Sequence, residues 1–220
     1  MKIAVFLQTC PQRRTDRLPT IASIEQSDIG TDFTVLEHPE EQDLRTFFRH
    51  VLEAMADSGA DYALRLEDDV VVNRHILHNF SNWSALDDPL FGAGWLFVPQ
   101  AALSSQCRTS CGVKYRSVAE MWAALAVAIP VKYVPACLNE LARSEARSEK
   151  MTQDFPLSRG VWHMGKRCFF HEPSLAENRD PPTAFGTKYP PRTKKQHLFA
   201  GSTFSADWKR LLTTTPDLTP

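Results

Sequence analysis

The sequence predicts an α/β protein in which a mixed, mostly parallel sheet is flanked by helices. Short apolar runs alternate with amphipathic helical patterns in the first half of the chain, and three consecutive acidic residues follow one of these runs. Strands that alternate with helices usually form a parallel sheet with crossover helices. With 220 residues, of which 43% are hydrophobic, the chain is long enough for one sizeable core.

The N-terminal elements follow this alternation. Residues 2–8 form a short apolar run that predicts a buried strand, and the proline that follows predicts a loop. A short helix is predicted over residues 16–26, with Thr15 or Asp16 as its N-cap. Residues 33–37 are predicted to form the second strand.

The clearest helical pattern lies at residues 42–58. Its apolar residues recur at intervals of three and four and therefore share one face of a helix, and Gly59 is expected to end it. These apolar residues are Leu44, Phe47, Phe48, Val51, Leu52 and Met55. Residues 61–66 then predict a strand that leads directly into the acidic cluster, and a further helix is predicted over residues 75–83.

The second half of the chain is less regular. The capping box Ser117-x-x-Glu120 predicts a helix over residues 121–128. Residues 133–134 predict a short strand, and residues 137–149 predict a charged amphipathic helix.

The net charge of −1 is unevenly distributed. Residues 1–139 carry 12 Lys and Arg against 17 Asp and Glu, whereas residues 140–220 carry 13 against 9. The composition is typical of a globular protein and excludes wholesale disorder. The acidic half is expected to hold a cation, and the basic half either balances its charge or faces a polyanion.

The sequence shows no targeting pattern. No apolar stretch is long enough to span a bilayer, and the N-terminal run lacks a signal-peptide cleavage pattern. The five cysteines fit reduced thiols, although the spacing of Cys107, Cys111, Cys168 and His171 leaves a zinc site open. We therefore expect a cytoplasmic protein, in the host cytoplasm if a phage encodes it. No oligomeric state is predicted.

The consecutive acids Glu67, Asp68 and Asp69 need a source of positive charge, because they follow a buried strand. Mg²⁺ and Mn²⁺ take oxygen ligands and are often held by one or two carboxylates together with substrate phosphates. Such an ion also neutralises a diphosphate leaving group. The alternative is a solvated acidic turn, but the position at a strand end favours the metal.

The segment Arg65-Leu66-Glu67-Asp68-Asp69-Val70 resembles the DxD-type motif of GT-A glycosyltransferases, whose Rossmann-like fold binds nucleotide sugars. The resemblance extends from residue 2 to about residue 178. It implies transfer of a sugar from a nucleoside diphosphate donor, expected to be a UDP-sugar, with Mn²⁺ or Mg²⁺ as cofactor.

The resemblance also implies a donor site. In such enzymes the first strand and its loop bind the nucleotide, which corresponds here to Gln8, Thr9 and Arg13. The acidic motif holds the donor phosphates, which corresponds to Glu67 and Asp68.

Two further assignments follow from the resemblance. A glycine-rich segment commonly lines the donor-sugar pocket, and Gly94 and Trp95 lie in such a segment here. An acid before a short helix is often the catalytic base in inverting members, which corresponds to Asp154. The alternative for Asp154 is that it caps the turn that follows.

For the metal, the resemblance implies Asp69 and Glu67 together with a histidine that completes the ligand shell. Several relatives carry this histidine in a Pro-Ser-Leu-x-x-His segment, and this chain has Asn178 at its position. Asn178 offers an oxygen, and His171 or His163 is an alternative third ligand.

The catalytic domain is predicted at residues 1–180, with a nucleotide and metal half at residues 1–90 and an acceptor half at residues 91–180. Residues 181–220 are predicted to form a basic, proline-rich arm. Residues 156–210 carry 10 Lys and Arg against 4 Asp and Glu, a charge that suits a phosphate backbone.

The small size and the basic C-terminal region make the chain similar to base J and phage enzymes that glycosylate hydroxymethylated pyrimidines in DNA. This similarity implies DNA as acceptor, with a glycan of lipopolysaccharide or capsule as the alternative. A nucleotidyltransferase is a further alternative, but it calls for a glycine-rich phosphate loop, and residues 9–14 contain no glycine. A non-catalytic nucleic-acid binder would leave the acidic cluster without a function.

Overall fold

The computed structural model describes residues 1–39, 42–97, 107–110, 113–116, 124–147 and 154–179. The strands are β1 (Ile3–Thr9), β2 (Thr34–Glu37), β3 (Tyr62–Glu67), β4 (Val70–Val72), β5 (Phe91–Trp95), β6 (Cys107–Ser110), β7 (Val113–Arg116), β8 (Ala126–Pro130), β9 (Arg167–Phe170) and β10 (Ala176–Asn178). The α-helices are α1 (Leu18–Glu25), α2 (Leu44–Ala56), α3 (Ile76–Ser81), α4 (Val134–Ala146) and α5 (Asp154–His163).

Among the described residues, eight strands form one sheet in the order β2-β1-β3-β8-β5-β9-β7-β6. Strands β2, β1 and β3 are parallel to one another, and so are β5 and β9, whereas β8 lies antiparallel between β3 and β5. Strand β7 is antiparallel to both β9 and β6, so that six of the eight strands point in the same direction. The predicted α/β class and the mixed, mostly parallel sheet are confirmed.

Two hydrophobic cores cover the two faces of the sheet. Helices α2, α4 and α5 pack on one face, and α1 and α3 pack on the other. Successive residues of β1 alternate between them, since Phe6 belongs to the first core whereas Val5 and Leu7 belong to the second. The middle of β1 is therefore packed into the two cores, and its polar residues Gln8 and Thr9 lie at its carboxyl end.

Helix α2 is the element that the sequence predicts best. Its carboxylate N-cap, Asp43, accepts hydrogen bonds from the backbone amides of Arg45 and Thr46, each at 3.0 Å. Gly59, two positions after the C-cap Asp57, has a φ of +61°, in the left-handed region that glycine adopts readily. All residues of the predicted stripe except Leu44 are buried, and each contributes about 1.5–3 kcal/mol of hydrophobic stabilisation.

Two predicted elements of the second half are wrong. Residues 126–128 belong to β8, not to a helix, because this strand is hydrogen-bonded to β3 on one side and to β5 on the other. Alanine-rich apolar runs of this length do not distinguish a buried strand from a helix. Residues 133–134 end a 3-10 helix and begin α4, so no strand forms there. The capping box at residues 117–120 lies outside the described residues, as does the predicted arm at residues 181–220.

The predicted N-cap of α1 is also wrong. The helix begins at Leu18, after Arg17, and no side chain caps it. Its Thr20 hydroxyl instead donates a hydrogen bond of 2.8 Å to the backbone carbonyl of Asp68, so α1 supports the loop that follows β3.

Gly160 sets the close approach of α5 to α4. A Cβ atom at this position would lie 2.6 Å from Cα and 2.7 Å from the backbone nitrogen of Cys137. We therefore expect Gly160→Ala to lower the free energy of unfolding by about 1–3 kcal/mol through overpacking, as measured by urea denaturation. Because the clash involves backbone atoms, adding Cys137→Ala should restore little of this loss; full recovery would show that the thiol alone causes it.

Candidate functional site

The carboxyl ends of β1 and β3 lie side by side, with Gln8 paired to Glu67 in the sheet. The loop after β1 contains a 3-10 helix at Pro11–Arg13, and the acidic residues follow β3. Ligands of parallel sheets bind at such strand ends. We call Thr9, Arg13, Arg65, Glu67, Asp68 and Asp69 the acid–arginine cluster.

Asp68 is held by two side chains from the loop after β1. Its Oδ2 accepts a hydrogen bond of 2.7 Å from the hydroxyl of Thr9, and its Oδ1 accepts one of 2.7 Å from Nη1 of Arg13. The same Nη1 lies 3.3 Å from Oδ2 of Asp69. Burial alone would lower the pKa of Arg13, but the two carboxylates outweigh burial and raise it, which fixes the guanidinium in its charged form.

Arg65 is a fully buried arginine that joins three parts of the chain. Its Nε donates to Oε1 of Gln8 at 2.7 Å, and its Nη1 donates to the backbone carbonyl of Ala124 at 2.6 Å. Its Nη2 donates to Oε1 of Glu67 at 2.7 Å, and its guanidinium carbon lies 5.3 Å from the ring centroid of Phe48.

The Glu67 carboxylate lies beside this arginine with 28% of its side chain exposed. Burial raises the pKa of Glu67, the charge of Arg65 opposes this shift, and the charges of Asp69 and Asp154 add to it. The pKa of Glu67 is therefore set by burial against Arg65 and by the two carboxylates of Asp69 and Asp154.

Asp154 is the first residue of α5 and is half-buried. Its Oδ1 accepts a hydrogen bond of 3.1 Å from the backbone amide of Ala124, the same residue whose carbonyl binds Arg65. The segment before β8 therefore connects Asp154 to the acid–arginine cluster. The role of Asp154 as catalytic base stays a prediction.

Three residues assigned to the donor site have structural roles in this arrangement. Gln8 is 7% exposed and accepts a hydrogen bond from Arg65. Trp95 is fully buried in the core under α2, α4 and α5, and a Cβ atom at Gly94 would lie 2.7 Å from the ring of Trp83. These placements show packing and orientation, and they do not test donor binding.

The residues predicted as metal ligands lie in two different environments. Asn178 lies beside the acidic residues, since it pairs with Val70 in the two-stranded sheet of β10 and β4. The backbone amide of Arg179 donates a hydrogen bond to the Asp69 carbonyl. His171, however, is fully buried, with Nδ1 2.7 Å from the carbonyl of Pro173 and its ring centroid 5.0 Å from that of Trp83.

Within the described ranges, no three or more His, Cys, Asp or Glu side chains are grouped so that they could hold a metal ion. Both oxygens of Asp68, Oε1 of Glu67 and Oδ2 of Asp69 already face Thr9 or an arginine. In this arrangement these four oxygens therefore have Thr9 and the two arginines as partners in place of a divalent cation. Cys10, Cys137 and Cys168 are buried thiols that form no disulfide.

Burial lowers the pKa of His171 to about 4 from the ordinary 6.5. Between these values the unfolded chain binds a proton that the folded chain excludes, so stability falls as the pH falls through this window. Between about pH 7 and pH 4, the free energy of unfolding of wild type should fall by about 3 kcal/mol more than that of His171→Gln. Urea unfolding at each pH measures this difference. His50 is exposed, so the control His50→Gln should show the same change in the free energy of unfolding with pH as wild type. An equal change with pH in all three proteins would contradict this prediction.

The sequence interpretation missed Arg65, Arg17 and Thr20. Arg17 places Nη1 2.7 Å from Oε2 of Glu37 and 3.3 Å from the Thr9 hydroxyl. The sequence does indicate a role for Arg65, because a charged residue inside an apolar strand needs polar partners. Arg65 lies two positions before Glu67 and therefore on the same face of the strand. Arg17 and Thr20 carried no such signal, since their partners lie in other elements.

No protein-family model matches the chain, and no curated protein matches its sequence. Several solved structures are similar to it. A197 from STIV has a TM-score of 0.47 and 10% identity, covering 92% of this chain and 97% of that chain. A glycosyltransferase involved in the glycosylation of the major capsid of PBCV-1 has a TM-score of 0.42 and 12% identity, covering 77% of this chain and 82% of that chain.

The galactosyltransferase LgtC, solved with donor and acceptor sugar analogs, has a TM-score of 0.47 and 10% identity, covering 81% of this chain and 87% of that chain. With TM-scores below 0.5, these similarities do not establish an activity for this chain. None of the helices in the described part is both long and apolar enough to cross a membrane.

Proposed function

We propose that the chain is a GT-A-type glycosyltransferase that moves a sugar from a nucleoside diphosphate donor to an acceptor hydroxyl. The observation that carries the proposal is the meeting of three features at the same end of the sheet. These are the arginine-bearing loop after β1, the acidic residues after β3 and the Asp154 carboxylate at the start of α5.

The donor is proposed to bind with its diphosphate near Arg13, because guanidinium geometry matches phosphate oxygens. Thr9 and Asp68 hold the loop that carries Arg13. This loop is a 3-10 helix without glycine, which favours a glycosyltransferase over the nucleotidyltransferase alternative. UDP is the nucleotide that we expect, from the resemblance of the Glu67-Asp68-Asp69 segment.

Asp154 is proposed as the general base. It would accept the proton of the acceptor hydroxyl while that oxygen forms a bond to the anomeric carbon of the sugar. The bond between this carbon and the diphosphate oxygen breaks in the same step, and the electron pair leaves with the nucleoside diphosphate. The backbone amide of Ala124 orients the Asp154 carboxylate.

The acceptor is proposed to be a hydroxymethylated pyrimidine in DNA, and the basic C-terminal region supports this choice. Three of its basic residues have partners in the fold: Arg159 lies 3.9 Å from Glu140, while Lys166 and Arg179 donate to the carbonyls of Pro89 and Asp16. Six of the ten basic residues lie at residues 188–210, outside the described residues, and we propose that these contact the phosphate backbone.

A thermal-shift screen of UDP-, GDP-, CDP- and ADP-sugars, each with and without Mn²⁺, tests the donor. We expect one nucleotide series to raise the melting temperature, since a ligand that binds only the folded state stabilises it. If none does, the glycosyltransferase proposal fails.

The acceptor is tested by incubating the protein and the preferred donor with hydroxymethylated DNA or with lipopolysaccharide. Mass spectrometry of the DNA should show the added mass of one sugar per modified base. Transfer to lipopolysaccharide without any gain of mass by the DNA would replace the DNA acceptor with a glycan.

A further inference from the structure

Every acid of the Glu67-Asp68-Asp69 segment has a cationic side chain beside it. Arg65 contacts Glu67, and Arg13 contacts both Asp68 and Asp69. The positive charge that the sequence requires at this position is therefore supplied by two arginines of the chain itself. The carboxylates of Asp68 and Asp69 converge on one guanidinium nitrogen, Nη1 of Arg13, at 2.7 and 3.3 Å.

We infer that Arg13 takes the place of a divalent metal ion in this site, so that the donor diphosphate binds through a fixed guanidinium. The inference rests on the proposed glycosyltransferase function and names the cation of that site. It departs from the metal dependence that the resemblance to GT-A enzymes implies.

Arg13 is held firmly enough for this role. Its side chain is 13% exposed, its backbone amide donates to the Cys10 carbonyl at 3.0 Å, and it ends the 3-10 helix of the loop. The Thr9 hydroxyl fixes the other oxygen of Asp68. A cation oriented before the substrate arrives stabilises developing charge without reorganisation during the reaction.

The chemistry of a guanidinium also suits two sets of anions at once. It carries five N–H donors on three nitrogens in one plane, and its Nη1 lies within 3.3 Å of both carboxylates. When the bond from the anomeric carbon to the diphosphate breaks, the leaving phosphate oxygen gains negative charge. Arg13 would neutralise that oxygen, while Asp68 and Asp69 keep the guanidinium charged and in position.

Isothermal titration calorimetry with UDP and with inorganic pyrophosphate tests the inference, using full-length protein in EDTA or in Mn²⁺. We expect wild type to bind UDP with dissociation constants within about threefold in the two buffers, and Arg13→Gln to bind about tenfold or more weakly in EDTA. Arg13→Lys, which keeps the charge but not the planar fork, should bind with intermediate affinity. The affinities of the three proteins for pyrophosphate should follow the same order, because pyrophosphate is a diphosphate without the nucleoside.

Arg14→Gln is the matched control. Its side chain is 67% exposed and pairs with Glu37, so the same loss of charge one residue away should leave UDP binding within about twofold of wild type. Circular dichroism and melting temperature verify that each variant is folded.

Two results would overturn the inference while the proposed function stands. One is binding of UDP by wild type only in Mn²⁺, and the other is equal binding by wild type and Arg13→Gln in EDTA. Failure of UDP and of every nucleotide sugar in the thermal-shift screen to bind in either buffer would instead remove the proposed function, and the inference with it.

Discussion

Replacement of Asp154 by Asn is expected to lower kcat by about 10²–10⁴-fold, the range for loss of a general base. An amide does not accept the proton of the acceptor hydroxyl, but its oxygen still accepts a hydrogen bond from the Ala124 amide, as Oδ1 of Asp154 does. The start of α5 and the donor site should therefore keep their structure. Steady-state transfer assays give kcat, and titration calorimetry with UDP gives donor affinity, which we expect within about twofold of wild type.

Asp57→Asn serves as the matched control, since Asp57 is an exposed residue at the end of α2. Its kcat should equal that of wild type. If Asp154→Asn also retains full kcat, Asp154 is a structural residue that binds the Ala124 amide, and the base must be sought elsewhere. If Asp154→Asn loses UDP affinity and kcat together, the carboxylate serves donor binding and not proton transfer.

The features that the sequence predicts well are those with a local signal. The α2 stripe follows from helical periodicity, and the end of β3 follows from an apolar run that meets three acids. The position of Thr9 and Arg13 beside these acids follows from one further rule, that parallel strands end at the same edge of the sheet.

The features that the sequence does not predict depend on contacts between distant segments. Strand β8 is defined by its hydrogen bonds to β3 and β5, and these override the helical preference of its alanines. Arg13 and Asp68 are 55 positions apart, so the pattern around the acids indicates a need for positive charge without indicating its source. A metal ion was the simplest source from sequence, whereas the fold places two arginines there.

Replacement of the second of these arginines, Arg65→Met, is expected to lower the free energy of unfolding by about 3–5 kcal/mol, because it removes a buried donor from three acceptors, of which only the Glu67 carboxylate is partly exposed. Methionine keeps the aliphatic length beside Phe48. It removes the donors to Gln8, to the Ala124 carbonyl and to Glu67. Urea denaturation of the purified variant measures the loss.

Arg49→Met is the matched control, because Arg49 also pairs with a glutamate of another element, Glu145, but both side chains are 32% exposed. That pair should contribute about 1 kcal/mol or less, as exposed ion pairs do. A loss for Arg65→Met no larger than that for Arg49→Met would show that burial of Arg65 adds nothing to its interactions.

A double-mutant cycle with Glu67→Gln separates the two consequences of losing Arg65. The neutral amide removes the negative charge that Arg65→Met would leave beside the core, so the double variant should be destabilised by less than the sum of the single variants. The remaining loss then reports the donors that Arg65 supplies to Gln8 and Ala124. Strict additivity would mean that Arg65 stabilises the fold through those neutral acceptors, and that the charge of Glu67 is balanced by other groups.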